Sequence, residues 1–316
     1  MVQYIFRRIL IAIPVLLGVT ILNFGIINLA PGNPAEMFIS PSISEADVEL
    51  KKEQLGLNDP LYVQYFRWLG NVFQGDFGYS FANYEPVTAM VVERIGPTLI
   101  LMGSALIIAY LIAIPVGIIS AVKQYSWIDY ATTGSSFLGI SVPNFFLGLG
   151  LIYIFSVKLG MFPTGGMNTL GAEGSLLDTL KHLILPSIVL ATAIAGNMVR
   201  YVRSSILEVL GEDYLRTARA KGLHEFIVVN KHALRNALIP IITVVGLDIP
   251  LLVSGAVITE QVFQWPGIGQ LMIQSIMSRD YPTLMALTFI AAIVVLVTNL
   301  VVDILYSVVN PRIKFN

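Results

Sequence analysis

The chain has no cysteine among its 316 residues. Disulfides, thiolate metal sites and cysteine nucleophiles are therefore excluded. That absence says little about compartment, because a fold held in lipid does not depend on disulfides. Charge is scarce as well. Charged side chains make up 12% of the sequence and hydrophobic ones 55%, whereas an ordinary soluble domain carries about 25% charged residues. A chain this apolar needs lipid as part of its solvent. The net charge of −1 gives no bulk attraction for nucleic acid. The three histidines, His182, His224 and His232, are too scattered for a metal site. There is no Gly-Lys dipeptide, so no GxxxxGK[ST] phosphate loop is possible and ATP has no usual binding site here.

What is present is a series of long apolar runs. Ile9–Ala30 covers 22 residues, or about 33 Å of helix, enough to cross a bilayer. Arg7 and Arg8 precede it as they would in a signal peptide, but the run is too long for a signal core and no small-x-small cleavage site follows. It reads as a retained first span. Five further runs follow at Thr98–Val122, Thr133–Val157, Leu183–Tyr201, Ile241–Ile258 and Thr283–Val309. The expected fold is an all-α membrane protein with six spans.

Lys and Arg set the orientation. With the N-terminus inside, the cytoplasmic segments hold 12 of them and the outer segments 7, four of those in the long stretch 31–97. Both termini are therefore expected in the cytoplasm. Residues 31–97 hold nine acids and four bases, a net of −5, while residues 200–240 hold seven bases and four acids, a net of +3. The first stretch is too long for a connector. Glu45–Leu55, between Ser44 as N-cap and Gly56 as stop, reads as one short helix and Val63–Phe73 as another. The expected organisation is residues 1–30 as the first span, 31–97 as a small helical extracytoplasmic subdomain, and 98–316 as a five-span core with a cytoplasmic loop at 204–240.

That loop is the most informative segment. Gly211 breaks the preceding helix, Glu212 and Asp213 open a new one, and Arg219 and Lys221 close it before Gly222. Acids at the start and bases at the end complement the helix dipole, and glycine is the natural left-handed stop. The centre is small, with Thr217, Ala218 and Ala220, and would let another surface approach the backbone. A second helix is expected over about Glu225–Asn236, before Pro240. The spacing alone is equally compatible with a solvated basic loop that only sets topology.

The residues Asp213-Tyr-Leu-Arg-Thr-Ala-Arg-Ala-Lys-Gly-Leu223, followed by His232-Ala-Leu-Arg-Asn-Ala-Leu-Ile-Pro240, resemble the peptide-transporter form of the EAA loop of ABC importer permeases. The resemblance runs along nearly the whole chain. It includes Ala30-Pro-Gly-Asn-Pro34, Gly75-Asp-Phe-Gly-Tyr-Ser80, Phe162-Pro-Thr-Gly-Gly166, Glu260-Gln-Val-Phe-Gln-Trp-Pro-Gly-Ile-Gly269, Arg279-Asp-Tyr-Pro282 and Asn310-Pro-Arg-Ile313. The chain is similar to the B-type permease subunit of the dipeptide/oligopeptide family. Arg216-Thr217-Ala218 stands where the general loop has Glu-Ala-Ala, so the glutamate that names the motif is missing.

The resemblance implies a type I ABC importer permease fold in the bacterial plasma membrane. It implies that Asp213, Arg216, Thr217, Ala218, Arg219, Ala220, Lys221, Gly222 and Leu223 dock an ATPase as a coupling helix. The implied partners are a second homologous permease subunit, two cytoplasmic ATPases that bind ATP and Mg, and an extracytoplasmic peptide-binding protein. The chain itself then needs no cofactor and is not an enzyme. Relatives of this shape carry dipeptides, longer peptides, nickel complexes or glutathione. An ion-coupled secondary transporter would show titratable groups buried in two repeated halves, and only Asp248 lies deep in a span. No nucleophile–base pair or ligand cluster points to an intramembrane enzyme.

For the substrate pathway, five residues stand out. Asp248, in Gly246-Leu-Asp-Ile-Pro250, either holds a peptide amino group or makes a hydrogen bond to a neighbouring span, because an unpaired charge at mid-bilayer costs about 2.5–3.5 kcal/mol. Asn197, beside Ala195 and Gly196, suits close helix packing and secondarily the pathway. Phe263 and Trp265 suit an interfacial aromatic anchor, whereas the resemblance implies that Glu260, Phe263 and Trp265 lie in a loop re-entering near the outer gate; the second is preferred, since an anchor has no need of Pro266-Gly-Ile-Gly269.

Overall fold

Proline and glycine, more than hydropathy, decide where the helices of this chain begin and break. A computed structural model describes residues 2–29, 53, 56, 58–172, 174–237, 241, 244–245 and 257–309. Among them the chain is helical and has no strand, only an isolated bridge between Tyr79 and Pro86. The helices are α1 (Val2–Leu29), α2 (Leu61–Phe73), α3 (Val87–Val122), α4 (Trp127–Ser141), α5 (Asn144–Leu151), α6 (Leu176–Leu210), α7 (Asp213–Ala220), α8 (Glu225–Ile227), α9 (Val257–Val262), α10 (Ile268–Met277) and α11 (Tyr281–Val309).

Among the described residues four helices are long and apolar enough to cross a membrane, with spans at Phe6–Leu29, Val87–Val122, Leu176–Leu210 and Tyr281–Val302. They contain the expected first, second, fourth and sixth spans, and α6 runs seven residues earlier and nine later than the apolar core of its sequence. The expected third span, Thr133–Val157, is broken. It is two helices, Trp127–Ser141 and Asn144–Lys158, bent by 98°. The cause lies in the sequence. Pro143 has no N–H to continue a helix and drives the residue before it to extended geometry, and Val142 sits at φ −79°, ψ 120°. The second piece then ends in a π-helical turn, Ile152–Lys158. The expected fifth span lies almost wholly outside the described residues, and so does the helix expected at Glu45–Leu55. Gly56, its expected stop, is described and has the left-handed φ of 66°.

Two compact units result, one from Met1–Gly96 with Ile268–Val297 and one from Pro97–Gly267 with Thr298–Asn316. In the first, Tyr65 of α2 is buried and shares a 2.8 Å hydroxyl hydrogen bond with Thr20 of α1. Its ring stands edge-on to Phe24 at 5.5 Å. Trp68 and Phe77 both stack on Phe289. Val87, Val91, Ile268, Leu271, Ala286 and Leu287 fill the rest of that core. In the second unit, α6 is the central helix. Met198, Val199, Val202 and Ile206 pack on Ala113 and Ala121 of α3. Glycines let these helices approach. A Cβ on Gly117 would stand 2.7 Å from Val202, and one on Gly196 2.8 Å from the Ser136 carbonyl oxygen. Meanwhile Leu10, Ile13, Ile21, Leu22 and Ile26 of α1 stay exposed. Water would penalise them by about 25 cal/mol per Å² of apolar surface, whereas lipid tails are as apolar as they are.

Candidate functional site

The segment 211–237 folds as its sequence directs. Helix α7 spans Asp213–Ala220, with Asp213 in its first turn and Arg219 in its last. Gly222 takes φ 76°. Its N–H donates to the Arg219 carbonyl at 2.9 Å and that of Leu223 to the Ala218 carbonyl at 3.4 Å. These are the two bonds of a Schellman stop, which needs a residue free to be left-handed at that point. Helical structure resumes at Glu225–Ile227 and continues through a π-helical turn at Val228–Ala233.

The helix has two faces. Leu215 and Ala218 are buried against Val228 and Ala233, with Val209 and Leu210 of α6 closing the cluster. The small face expected to be open is thus partly used by the chain itself, and of its three residues only Thr217 and Ala220 remain exposed. Around them stand Arg216 and Lys221, also exposed. Tyr214 accepts a 2.7 Å hydrogen bond from Asn236. Arg219 forms a two-pronged pair with Glu225 at 2.9 and 3.1 Å. The guanidinium, hydrogen-bonded to it, holds the Glu225 carboxyl below its usual value, and Arg219 is raised in return. The loop therefore carries a short helix anchored by Leu215 and Ala218, with the helix's remaining side chains exposed.

One feature of α6 had no signal in the sequence. Arg203 is one of the seven bases of the stretch 200–240, and its guanidinium grips Asp129 of α4 with bonds of 2.7 and 2.8 Å. Asp129 is buried, and Ser120 of α3 donates to it as well. Another unforeseen pairing joins two sequence motifs 200 residues apart. The buried Asp280 accepts hydrogen bonds from the Ser80 hydroxyl, the Phe81 N–H and the Thr283 hydroxyl. Nothing in either stretch alone identifies the other as its partner.

Four of the five pathway residues are among the described residues. Asp248 lies outside the described residues. Asn197 is exposed, with its amide turned back toward the Ala193 carbonyl at 3.4 Å, and the close helix contact beside it is made by Gly196. Glu260, Phe263 and Trp265 are all buried. Trp265 donates its indole N–H to the Pro97 carbonyl at 2.9 Å, and Glu260 accepts from the Thr98 hydroxyl at 2.9 Å. Phe263 lies against Leu185 and Val189 of α6 and against Gly148 of α5. Among the described residues no His, Asp and Glu side chains gather as a metal site.

Residues 113–315 match the family described as the inner membrane component of binding-protein-dependent transport systems, and residues 1–102 match the family described as the N-terminal part of such membrane components. The chain is 52% identical over 316 residues to the oligopeptide transport system permease protein AppB of Bacillus subtilis (strain 168), covering 100% of each. It is 42% identical over 315 residues to the glutathione transport system permease protein GsiC of Salmonella paratyphi A, again covering 100% of each. Among solved structures it resembles an inward-facing form of the MetNI methionine ABC transporter, with a TM-score of 0.57 and 19% identity over 72% of this chain and 99% of that one. That last likeness is one of fold.

Proposed function

The chain belongs to the family of inner membrane components of binding-protein-dependent transport systems, and from that premise we propose that it is one permease subunit of an ATP-driven peptide importer. It would form half of a translocation path with a second permease subunit. Two cytoplasmic ATPases would bind ATP and Mg, and an extracytoplasmic binding protein would deliver the substrate. Both termini would lie in the cytoplasm. The observation that carries the reading is the build of α7. It is a capped helix with one face sunk into its own chain and the other, around Arg216, Thr217 and Ala220, left open just past the end of the 35-residue α6. An ATPase seated there can push on α6 without unfolding the loop. ATP binding would open the path outward and hydrolysis would return it inward. Asp248 and Asn197 would line that path, with Glu260, Phe263 and Trp265 shaping it from behind.

Peptide as the substrate class is supported by the 52% identity to a protein named as an oligopeptide permease. A second reading, glutathione, is favoured by the 42% identity to a glutathione permease. Titrating the cognate binding protein with defined peptides and with glutathione separates them. The docking reading is tested by Ala220→Trp in the reconstituted complex. A bulky ring on the open face should leave insertion intact and abolish uptake while ATP hydrolysis continues. Unchanged uptake would move the docking surface off α7.

A further inference from the structure

Asp129 sits in the first turn of α4 and is 3% exposed. A carboxylate removed from water costs several kcal/mol unless it is fully partnered. Here it is. Arg203 Nε donates to Oδ1 at 2.7 Å and Nη2 to Oδ2 at 2.8 Å. The Ser120 hydroxyl adds a bond to Oδ1 at 2.5 Å and the Tyr125 N–H one to Oδ2 at 3.0 Å. Tyr125 holds a left-handed φ of 62° in the turn that makes this bond, a conformation uncommon for a bulky residue. The Asp129 carboxylate thus ties the start of α4 to the last turn of α3 and the turn that follows it, and through Arg203 to α6.

The same stretch of α6 is interlocked in other ways. Val199, Val202 and Ile206 pack on α3, with Gly117 making room for Val202. Arg200 lies over the Phe137 ring of α4 at 5.0 Å. Seven residues past Arg203, about 10 Å along a helix, Leu210 and its neighbour Val209 carry the buried face of α7. A well-packed apolar cluster would hold three helices together as firmly as a buried ion pair. What the pair adds is fixed geometry, because a planar guanidinium on a carboxylate resists sliding and rotation.

We propose that Asp129 and Arg203 are positioning residues of the transport cycle. They lock the adjoining ends of α3, α4 and α6 into one body, so that displacement of α7 moves the spans instead of being absorbed by bending at the end of α6. This rests on the reading of α7 as the ATPase-docking element.

The test uses the complete importer in proteoliposomes and reads ATP hydrolysed per substrate imported. Asp129→Asn and Arg203→Lys, in complexes assembled in normal amount, should raise that ratio about fivefold or more, the range in which two sites lose their coupling. Ser120→Ala, which leaves the ion pair in place, should raise it less. The absence of native cysteine allows clean spin labelling at single cysteines replacing Trp127 and Phe226, both exposed. In the wild type the distance between labels should be the same with and without ATP, and in Asp129→Asn it should change on ATP addition. Hydrolysis and uptake falling in equal proportion, with an unchanging inter-label distance, would overturn the proposal and leave the pair merely structural. If Asp129→Asn does not assemble, Ser120→Ala decides the matter by the same two readouts. Uncoupling by Ala220→Trp but not by the Asp129 and Arg203 variants sinks the positioning role alone, whereas uptake intact in Ala220→Trp sinks the docking reading.

Discussion

Replacing Asp280 by alanine should loosen the segment 78–86 more than any neighbouring change. Asp280 is 1% exposed and immediately precedes α11, whose second residue is Pro282. It accepts from Ser80 Oγ at 2.5 Å, from the Phe81 N–H at 3.0 Å and from Thr283 Oγ1 at 2.7 Å. Hydrogen bonds to a charged group contribute about 1.5–3 kcal/mol each, so three set a ceiling of about 9. The real loss is smaller. Both hydroxyls can rotate toward other acceptors, and the vacated space admits water. The Phe81 amide has no such freedom. About 3–4 kcal/mol is expected for Asp280→Ala, and about 1–2 for Asp280→Asn, which keeps one acceptor oxygen. Thermal unfolding of membrane proteins is often irreversible, so amide hydrogen exchange is the better measure. A local loss of 3–4 kcal/mol corresponds to exchange at residues 78–86 faster by about 140- to 700-fold, at about 1.4 kcal/mol per factor of ten, with α7 unchanged. A change under about tenfold for Asp280→Ala would show that the clasp contributes little, and the reasoning from stranded donors would fail.

Two other outcomes follow from single contacts. A Cβ on Gly267 would come within 2.4 Å of the Glu260 carboxyl, and Glu260 is fully buried. Gly267→Ala should therefore cost about 1–3 kcal/mol by overpacking, read as faster exchange over 260–268, while the equally conservative Gly211→Ala, with its nearest contact at 3.6 Å, should not. The Arg219–Glu225 pair lowers the folded pKa of Glu225. Its small, solvent-screened contribution is thus fully present above the ordinary glutamate pKa and is lost as pH falls through the lowered folded value. Protection of α7 should differ between wild type and Glu225→Gln at neutral pH and converge in acid. A difference that persists once Glu225 is protonated would mean that the side chain acts by packing and not by charge.

Local chemistry was enough to place some of this protein. Low charge and long apolar runs fixed the membrane class, because lipid tolerates no other composition over such lengths. Gly211 and Gly222 bounded α7 to within a residue, since a helix stop of that kind is decided by one backbone angle. The motifs carried the family. Pro143 was equally legible as a helix break, yet the apolar run across it read as one span because hydropathy ignores backbone angles. Other features belong to the tertiary structure alone. That Ala218 turns inward while Ala220 stays open depends on where Val228 and Ala233 fold back. Asp129 finds Arg203 across 74 residues, and Asp280 finds Ser80 across 200. In the sequence each is one charge among many. Only the packed helices bring the partners within hydrogen-bond distance and exclude the water that would otherwise satisfy them, and that burial turns an ordinary aspartate into a fixed joint.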